Sequence, residues 1–192
     1  MRSVGLLALA ACVAVFGVSS LDASAQSGGA QPPAAWSPPN LDEQRAAIER
    51  LAPLVGRWQG EANLSSPHAA VVHQSERVER DLGGLVLVIH GTGHATAART
   101  GEPVFQALGV ISYDDRSDGY EIRSYANGYA TTATGAFEQD GAFVWSINPG
   151  GPVRIRYTIR IDGDVWSETG EMSRDGGETW TQTISMSLNR VH

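Results

Sequence analysis

The sequence predicts an all-β protein, an up-and-down antiparallel barrel of about ten strands with a short N-terminal helix plugging one end. Three observations carry this. Apolar residues recur with period 2 from Val55 onward. Turns rich in Gly and Asp interrupt that pattern roughly every dozen residues. No helix-length pattern returns after Pro53, so the strands must follow one another as hairpins, and closing the sheet removes its exposed edges.

Ahead of the barrel, residues 1–25 have the pattern of a secretory signal. Arg2 lies in a short basic region, an apolar run extends from Val4 to Val18, and Ala23-Ser24-Ala25 is a small-residue cleavage site. This predicts a periplasmic or secreted protein. Cys12 is the one cysteine, so the remaining chain would hold no disulfide and no thiolate ligand. Leu9-Ala10-Ala11-Cys12 also resembles a lipobox, and the alternative is a lipoprotein anchored through Cys12. Residues 26–40, rich in Pro, Gly and Ala, read as a flexible linker in which Trp36 could dock on the barrel. No second apolar run has the roughly 18 residues of a membrane span. The barrel domain is then 41–192.

The domain opens with Asn40 as a helix N-cap, Asp42 and Glu43 in the first turn, and Leu41, Ile48 and Leu51 on one face until Pro53. Gly56-Arg57-Trp58 starts the first strand, with Trp58, Gly60, Ala62 and Leu64 turned inward. Strands are expected near 55–64, 70–82, 85–95, 103–113, 119–126, 129–138, 142–148, 152–162, 164–173 and 179–190.

Turns suggest registers. With Gly83-Gly84 at a hairpin tip, His73 faces His94 and Arg77 faces His90. The other face carries Val78, Leu82, Leu85, Leu87 and Ile89 with Glu76 and Arg80, is the more apolar, and should point inward. With Asp162-Gly163 as a two-residue loop, Ile159 faces Trp166, Tyr157 faces Glu168 and Ile155 faces Gly170, while Arg154 meets Glu171 outside. Ser173-Arg174-Asp175-Gly176-Gly177-Glu178-Thr179-Trp180 matches an Asp-box, in which the aspartate bonds backbone N–H groups of its own turn.

The formal charge is −7, from 14 arginines against 21 acidic residues, which argues against nucleic acid as a partner. His73, His90 and His94 are a candidate metal set, but His90 and His94 are about 13 Å apart along an extended strand, and two ligands make a poor zinc site. Glu168 and Tyr157 on an apolar face are the candidate catalytic pair, since a carboxyl kept from water has a raised pKa and can act as acid or base. Candidate ligand-binding residues are Glu76, Arg80, Trp145, Tyr157, Glu168 and Gln182. No phosphate loop, nucleophile elbow or paired acidic motif is present.

The helix, Gly56-x-Trp58, the glycine-punctuated meander, Asp-Gly-Gly-x-Thr-Trp and the closing Ile184-Ser185-Met186-Ser187-Leu188-Asn189-Arg190 together resemble the calycin-like domain-of-unknown-function proteins of bacteria. These are distant relatives of lipocalins, fatty-acid-binding proteins and nitrobindins. The likeness spans nearly all of residues 41–190 and implies a ten-strand barrel with a small-molecule cavity. It also implies that Arg190, on the last strand, covers the Trp58 ring. Nitrobindins hold haem through a histidine near the C-terminal strand; the last strand here has none, and haem is the alternative to a barrel without cofactor.

The expected function is an exported barrel that holds a small apolar or amphipathic molecule. Two other classes compete with it. One is an isomerase or lyase working in the same cavity. The other is a structural or interaction domain whose interior is filled by Phe143, Trp145, Trp166, Trp180 and Met186; a lumen of about 300 Å³ or more with a few converging polar groups favours binding or catalysis, and a filled one the structural role.

Overall fold

The computed structural model describes residues 38–65 and 69–192. The leader at 1–25, Cys12, Trp36 and all but the end of the 26–40 linker lie outside the described residues. Among those described, no helix is long and apolar enough to cross a membrane.

Helix α1 (Leu41–Glu49) begins at Asn40, whose side chain accepts a 3.3 Å hydrogen bond from the Glu43 N–H. Asp42 and Glu43 occupy its first turn, where the positive end of the helix dipole favours acids. Ile48 and Leu51 are buried, but Leu41 is 41% exposed. It shares their face, yet starts the helix. A 3₁₀ turn at Ala52–Leu54 contains Pro53 and leads into the sheet.

Ten strands follow: β1 (Gly56–Leu64), β2 (Ala70–Asp81), β3 (Val86–His94), β4 (Phe105–Asp114), β5 (Gly119–Ala126), β6 (Tyr129–Phe137), β7 (Phe143–Gly150), β8 (Val153–Asp162), β9 (Val165–Ser173) and β10 (Thr181–Val191). Each pairs antiparallel with its chain neighbour, and β10 returns to β1, closing the barrel. Parity places the side chains as the sequence predicts. Trp58, Ala62 and Leu64 of β1, Val72 and Val78 of β2, and Ile155 and Ile159 of β8 are all buried.

Helix α1 closes one end. Tyr120 donates a 2.7 Å hydrogen bond to the Ala47 carbonyl, and its ring meets those of Tyr113, Phe137 and Phe143 edge to face at 5.1–5.8 Å. The Arg50 guanidinium covers Phe137 at 4.2 Å. Asp115 accepts from the Asn40 N–H at 2.8 Å and from Gln44 Nε2 at 2.6 Å, which ties the helix to the β4–β5 turn.

Barrel closure depends on Trp58 and Arg190, cross-strand partners on β1 and β10. The guanidinium lies 4.0 Å from the centre of the indole, as the resemblance implied. Its Nη1 and Nη2 donate to the carbonyls of Val55 and Pro53, and its Nε donates to Asp164. Trp58 donates through Nε1 to the Leu54 carbonyl at 2.7 Å. One arginine thus ties the last strand to the 3₁₀ turn, by bonds worth about 1.5–3 kcal/mol each where the donor is charged.

The β2–β3 register is as expected, with His73 opposite His94 and Arg77 opposite His90. Leu82, expected inside, is 67% exposed because it is a turn residue at φ 50°. The β8–β9 hairpin corrects the predicted register: the loop is Gly163-Asp164, and Asp162 pairs with Val165. Gly163 takes φ 58° at the first loop position, as a type II′ turn requires. The slip is two partners long, so every face is kept, but Glu168 now sits opposite Ile159, Trp166 opposite Ile161, Ile155 opposite Met172 and Tyr157 opposite Gly170. Arg156, not Arg154, pairs with Glu171 at 2.8 Å.

The Asp-box turn is built from side chain to backbone. Asp175 accepts from the Thr179 N–H at 2.9 Å and from the Ser173 and Thr179 hydroxyls. These bonds hold its pKa far below the usual carboxylate range. Trp180 bonds the Gly177 carbonyl and lies under the Arg156 guanidinium at 4.0 Å, so it braces the turn and does not fill the barrel.

Candidate functional site

Away from the helix the barrel is open. A cavity of about 200 Å³ occupies this half, with Trp166 and Glu76 in its lining. The space comes from the sequence of β4, β5 and β6. Where the helix half inserts Tyr120, Phe137 and Phe143, this wall carries Gly109 opposite Ser124, Ser124 opposite Thr131, and Ala107 opposite Ala126. Small side chains in register leave a hollow that the opposite wall does not fill.

The opposite wall is aromatic and acidic. Trp145 of β7 stacks on its cross-strand partner Tyr157 of β8, with ring centres 4.2 Å apart and planes 14° from parallel. Tyr157 lies across Gly170 of β9, where an added Cβ would stand 2.7 Å from the phenol ring. Trp166 meets Trp58 edge to face at 5.8 Å, linking this wall to the filled half.

Glu76 of β2 and Glu168 of β9 both reach the lumen. Both are half-buried, with surface that faces the cavity. Gly91, opposite Glu76 on β3, makes room for its carboxyl, since a Cβ there would come within 2.8 Å of Oε1. Gln74 Nε2 donates to Glu76 Oε1 at 2.6 Å, while Oε2 is buried with no hydrogen-bond partner.

Burial pushes the Glu76 pKa up to about 7, against the smaller opposing effect of the Gln74 bond. Burial also pushes Glu168 up to about 8; the neighbouring charge of Glu76 adds to this, and the indole N–H groups of Trp145 and Trp166 oppose it. Trp166 Nε1 is near enough to act on Glu168 but makes no well-formed hydrogen bond. The lumen therefore holds two carboxyl groups that exchange protons near neutral pH.

Of the residues singled out in the sequence, Glu76, Trp145, Tyr157 and Glu168 come together around the cavity. Arg80 does not: it lies beyond the last β1 pairing and bonds Glu49 of α1 at 2.8 Å, at the plugged end. Gln182 does not either. A bulge between Gln182 and Ile184 reverses its parity, so it is exposed beside Glu171 on the outer face. His73, His90 and His94 are on the outside, with His73 Nδ1 3.4 Å from Glu61. Among the described residues no three His, Cys, Asp or Glu side chains converge as a metal site.

Four polar lining residues went unnoticed in the sequence: Gln74, Ser124, Tyr129 and Thr131. Signals for them existed. Gln74 shares the period-2 face of Glu76. Asn127-Gly128 is a strong two-residue hairpin signal, and both residues take positive φ, 49° and 87°. That turn alone sets Ser124 against Thr131 and Ala126 against Tyr129.

No family model matches the chain, and no curated protein matches it. Among solved structures it is similar to the crystal structure of Rv2717c from M. tuberculosis, at 20% identity and a TM-score of 0.60, over 76% of this chain and 98% of that one. At that identity the likeness concerns the fold, a closed ten-strand barrel of calycin-like form.

Proposed function

We propose that the protein binds one small, compact, largely apolar molecule in the open half of its barrel, with the polar end of that molecule directed at Glu76 and Glu168. The observation that carries this reading is a lumen left open by small residues on three adjacent strands and lined opposite by stacked aromatics. Its volume, about 200 Å³, falls short of the roughly 300 Å³ at which pockets enclose drug-sized ligands. It exceeds the ~150 Å³ apolar cavity that accommodates benzene. A single ring with a short substituent suits it better than a long acyl chain. Haem fits poorly, because it is too large for a cavity of about 200 Å³ and, among the described residues, the lining includes no histidine. The calycin-like fold and the pattern at residues 1–25 extend the proposal to an exported binding protein, which the N-terminal mass of the mature chain would test.

A second reading, an isomerase or lyase, rests on the raised pKa values of Glu76 and Glu168, which supply an acid and a base near neutral pH. The two readings differ in whether the bound molecule is recovered unchanged.

The test is titration with indole and simple substituted benzenes, followed by tryptophan fluorescence. Saturable binding near one-to-one stoichiometry is expected. Ser124→Leu, which fills the hollow from β5, should abolish it while the protein still melts cooperatively. Binding that ignores Ser124→Leu would place the ligand elsewhere, and absence of binding would favour a structural role for the barrel.

A further inference from the structure

Among the described residues, the lumen is lined by two acidic side chains and no basic one. Its other titratable groups are the phenols of Tyr129 on β6 and Tyr157 on β8, and the six strands other than β2, β6, β8 and β9 contribute only neutral, non-titrating side chains. Arg99, from the β3–β4 loop, bonds the Gly60 carbonyl and is not part of the lining. Arg80 and Arg190 are committed at the helix end, to Glu49 and to the 3₁₀ turn. Among the described residues, no basic side chain of the lining neutralises the pair.

Burying two carboxyl groups together without a cation disfavours their ionised forms, and an arrangement that served packing alone would satisfy each oxygen. Here Glu76 Oε2 is buried and unpartnered. The surrounding surface is also of a particular kind. Trp145 and Tyr157 present a stacked aromatic face, with Trp166 also in the lining, and aromatic faces attract cations, more strongly when water is excluded. Acid, aromatic wall and missing counter-charge all call for the same chemistry.

We infer that the ligand of the lumen is a small organic cation, an aryl- or alkylamine whose ammonium group is held by Glu76 and Glu168 and whose apolar body rests against Trp145 and Tyr157. This inference rests on the lumen being the binding site. Because Glu76 and Glu168 are substantially protonated in the empty barrel below about pH 7, binding an ammonium ion expels protons from them. Affinity then rises with pH by roughly tenfold per unit for each proton released, and levels off once the carboxyl groups are ionised in the free protein.

Three probes of one shape separate the possibilities: benzylamine, benzyl alcohol and benzoate. With the full chain at pH 7.5, benzylamine should bind at least about tenfold tighter than benzyl alcohol, and benzoate should bind most weakly. Between pH 5 and 7 the affinity for benzylamine should climb while that for benzyl alcohol stays nearly flat, a comparison that needs no variant. In Glu76→Gln and Glu168→Gln, singly and together, benzylamine should fall toward the level of benzyl alcohol, with folding checked by circular dichroism. If benzyl alcohol binds and is blocked by Ser124→Leu, but benzylamine holds no advantage or keeps it in the double variant, the cation inference is overturned and the lumen reading stands. If none of the three binds in a way that Ser124→Leu prevents, the lumen reading fails and takes this inference with it.

Discussion

The two halves of the barrel are made from the same ten strands in the same register, yet one is solid and the other hollow. At the helix end, Trp58, Ile48, Leu51, Leu87 and Leu188 are at most 2% exposed, and α1 lies across the opening. Toward the other end β4, β5 and β6 turn Gly109, Ser124 and Thr131 inward, and a cavity follows. Fold topology does not decide between core and binding site here. Side-chain volume does, at the positions that period 2 directs inward.

The difference also extends to polar groups. In the filled half they are satisfied: Trp58 Nε1, Tyr120 Oη and the Arg190 guanidinium all donate to backbone carbonyls. In the open half Glu76 Oε2 and Trp166 Nε1 are buried without partners. Stability is concentrated at one end and unspent hydrogen-bonding capacity at the other.

Substitutions can break this comparison, and the largest effect is expected in the filled half. Trp58→Ala removes a fully buried indole, its bond to Leu54 and the surface under Arg190, and should cost about 3–5 kcal/mol in denaturant unfolding. A loss below about 1 kcal/mol would mean the helix end is not the main core.

The next effect is a pH dependence that belongs to the open half. Glu76 and Glu168 have folded-state pKa values of about 7 and 8, above the ordinary 4.5. The folded state therefore binds more protons than the unfolded one between those limits, so stability falls as pH rises from about 5 to 8, by on the order of a few kcal/mol. Asp114, Asp140 and Asp175 are shifted the other way and titrate below this window. Urea unfolding at pH 5 and pH 8 measures the slope, and Glu168→Gln should flatten it. Stability that rises over this range would remove the case for a buried acidic pair.

Two glycine substitutions sharpen the contrast at matched chemistry, since neither residue has positive φ. Gly135→Ala in the filled half would set a Cβ 2.6 Å from Phe143 Cζ and 2.9 Å from Ile122 Cδ1. An overpacking cost of about 1–3 kcal/mol is expected. Gly109→Ala in the open half meets only Ile89 Cβ, at an ordinary 3.7 Å. It should stabilise by about 0.4–1 kcal/mol, through the unfolded chain. Equal effects on melting temperature would erase the distinction between the halves.

Much of this was legible in the sequence because β-structure repeats simply. Period 2 put Trp58, Val78, Ile155 and Ile159 inside, and the Gly-x-Trp step with Arg190 anticipated how the barrel closes. What failed were local departures from the repeat. The bulge beside Thr183 turned Gln182 outward, and choosing Asp162-Gly163 over Gly163-Asp164 misplaced Glu168 by two residues along β8, opposite Tyr157 where Ile159 stands. Arg80 had the right parity but the wrong height, a quantity that depends on where β1 stops beside β2. The hollow itself was not visible, since it arises from small residues on three strands whose alignment needed the Asn127-Gly128 turn to be used as a register.

The central claim, that the open half is the binding site and the helix half is not, can be tested most directly with the tryptophans, which sample both halves and the exterior. After 5-fluorotryptophan incorporation and assignment by Trp→Phe substitution, fluorine NMR during a titration with benzyl alcohol or benzylamine reports each ring separately. Trp145 and Trp166, which line the cavity, should shift saturably together; Trp58, packed beneath Arg190, should move far less, and Trp180, in the Asp-box turn, should stay still. A largest shift at Trp58 or Trp180, or no shift at any ring at saturating ligand, would contradict the account.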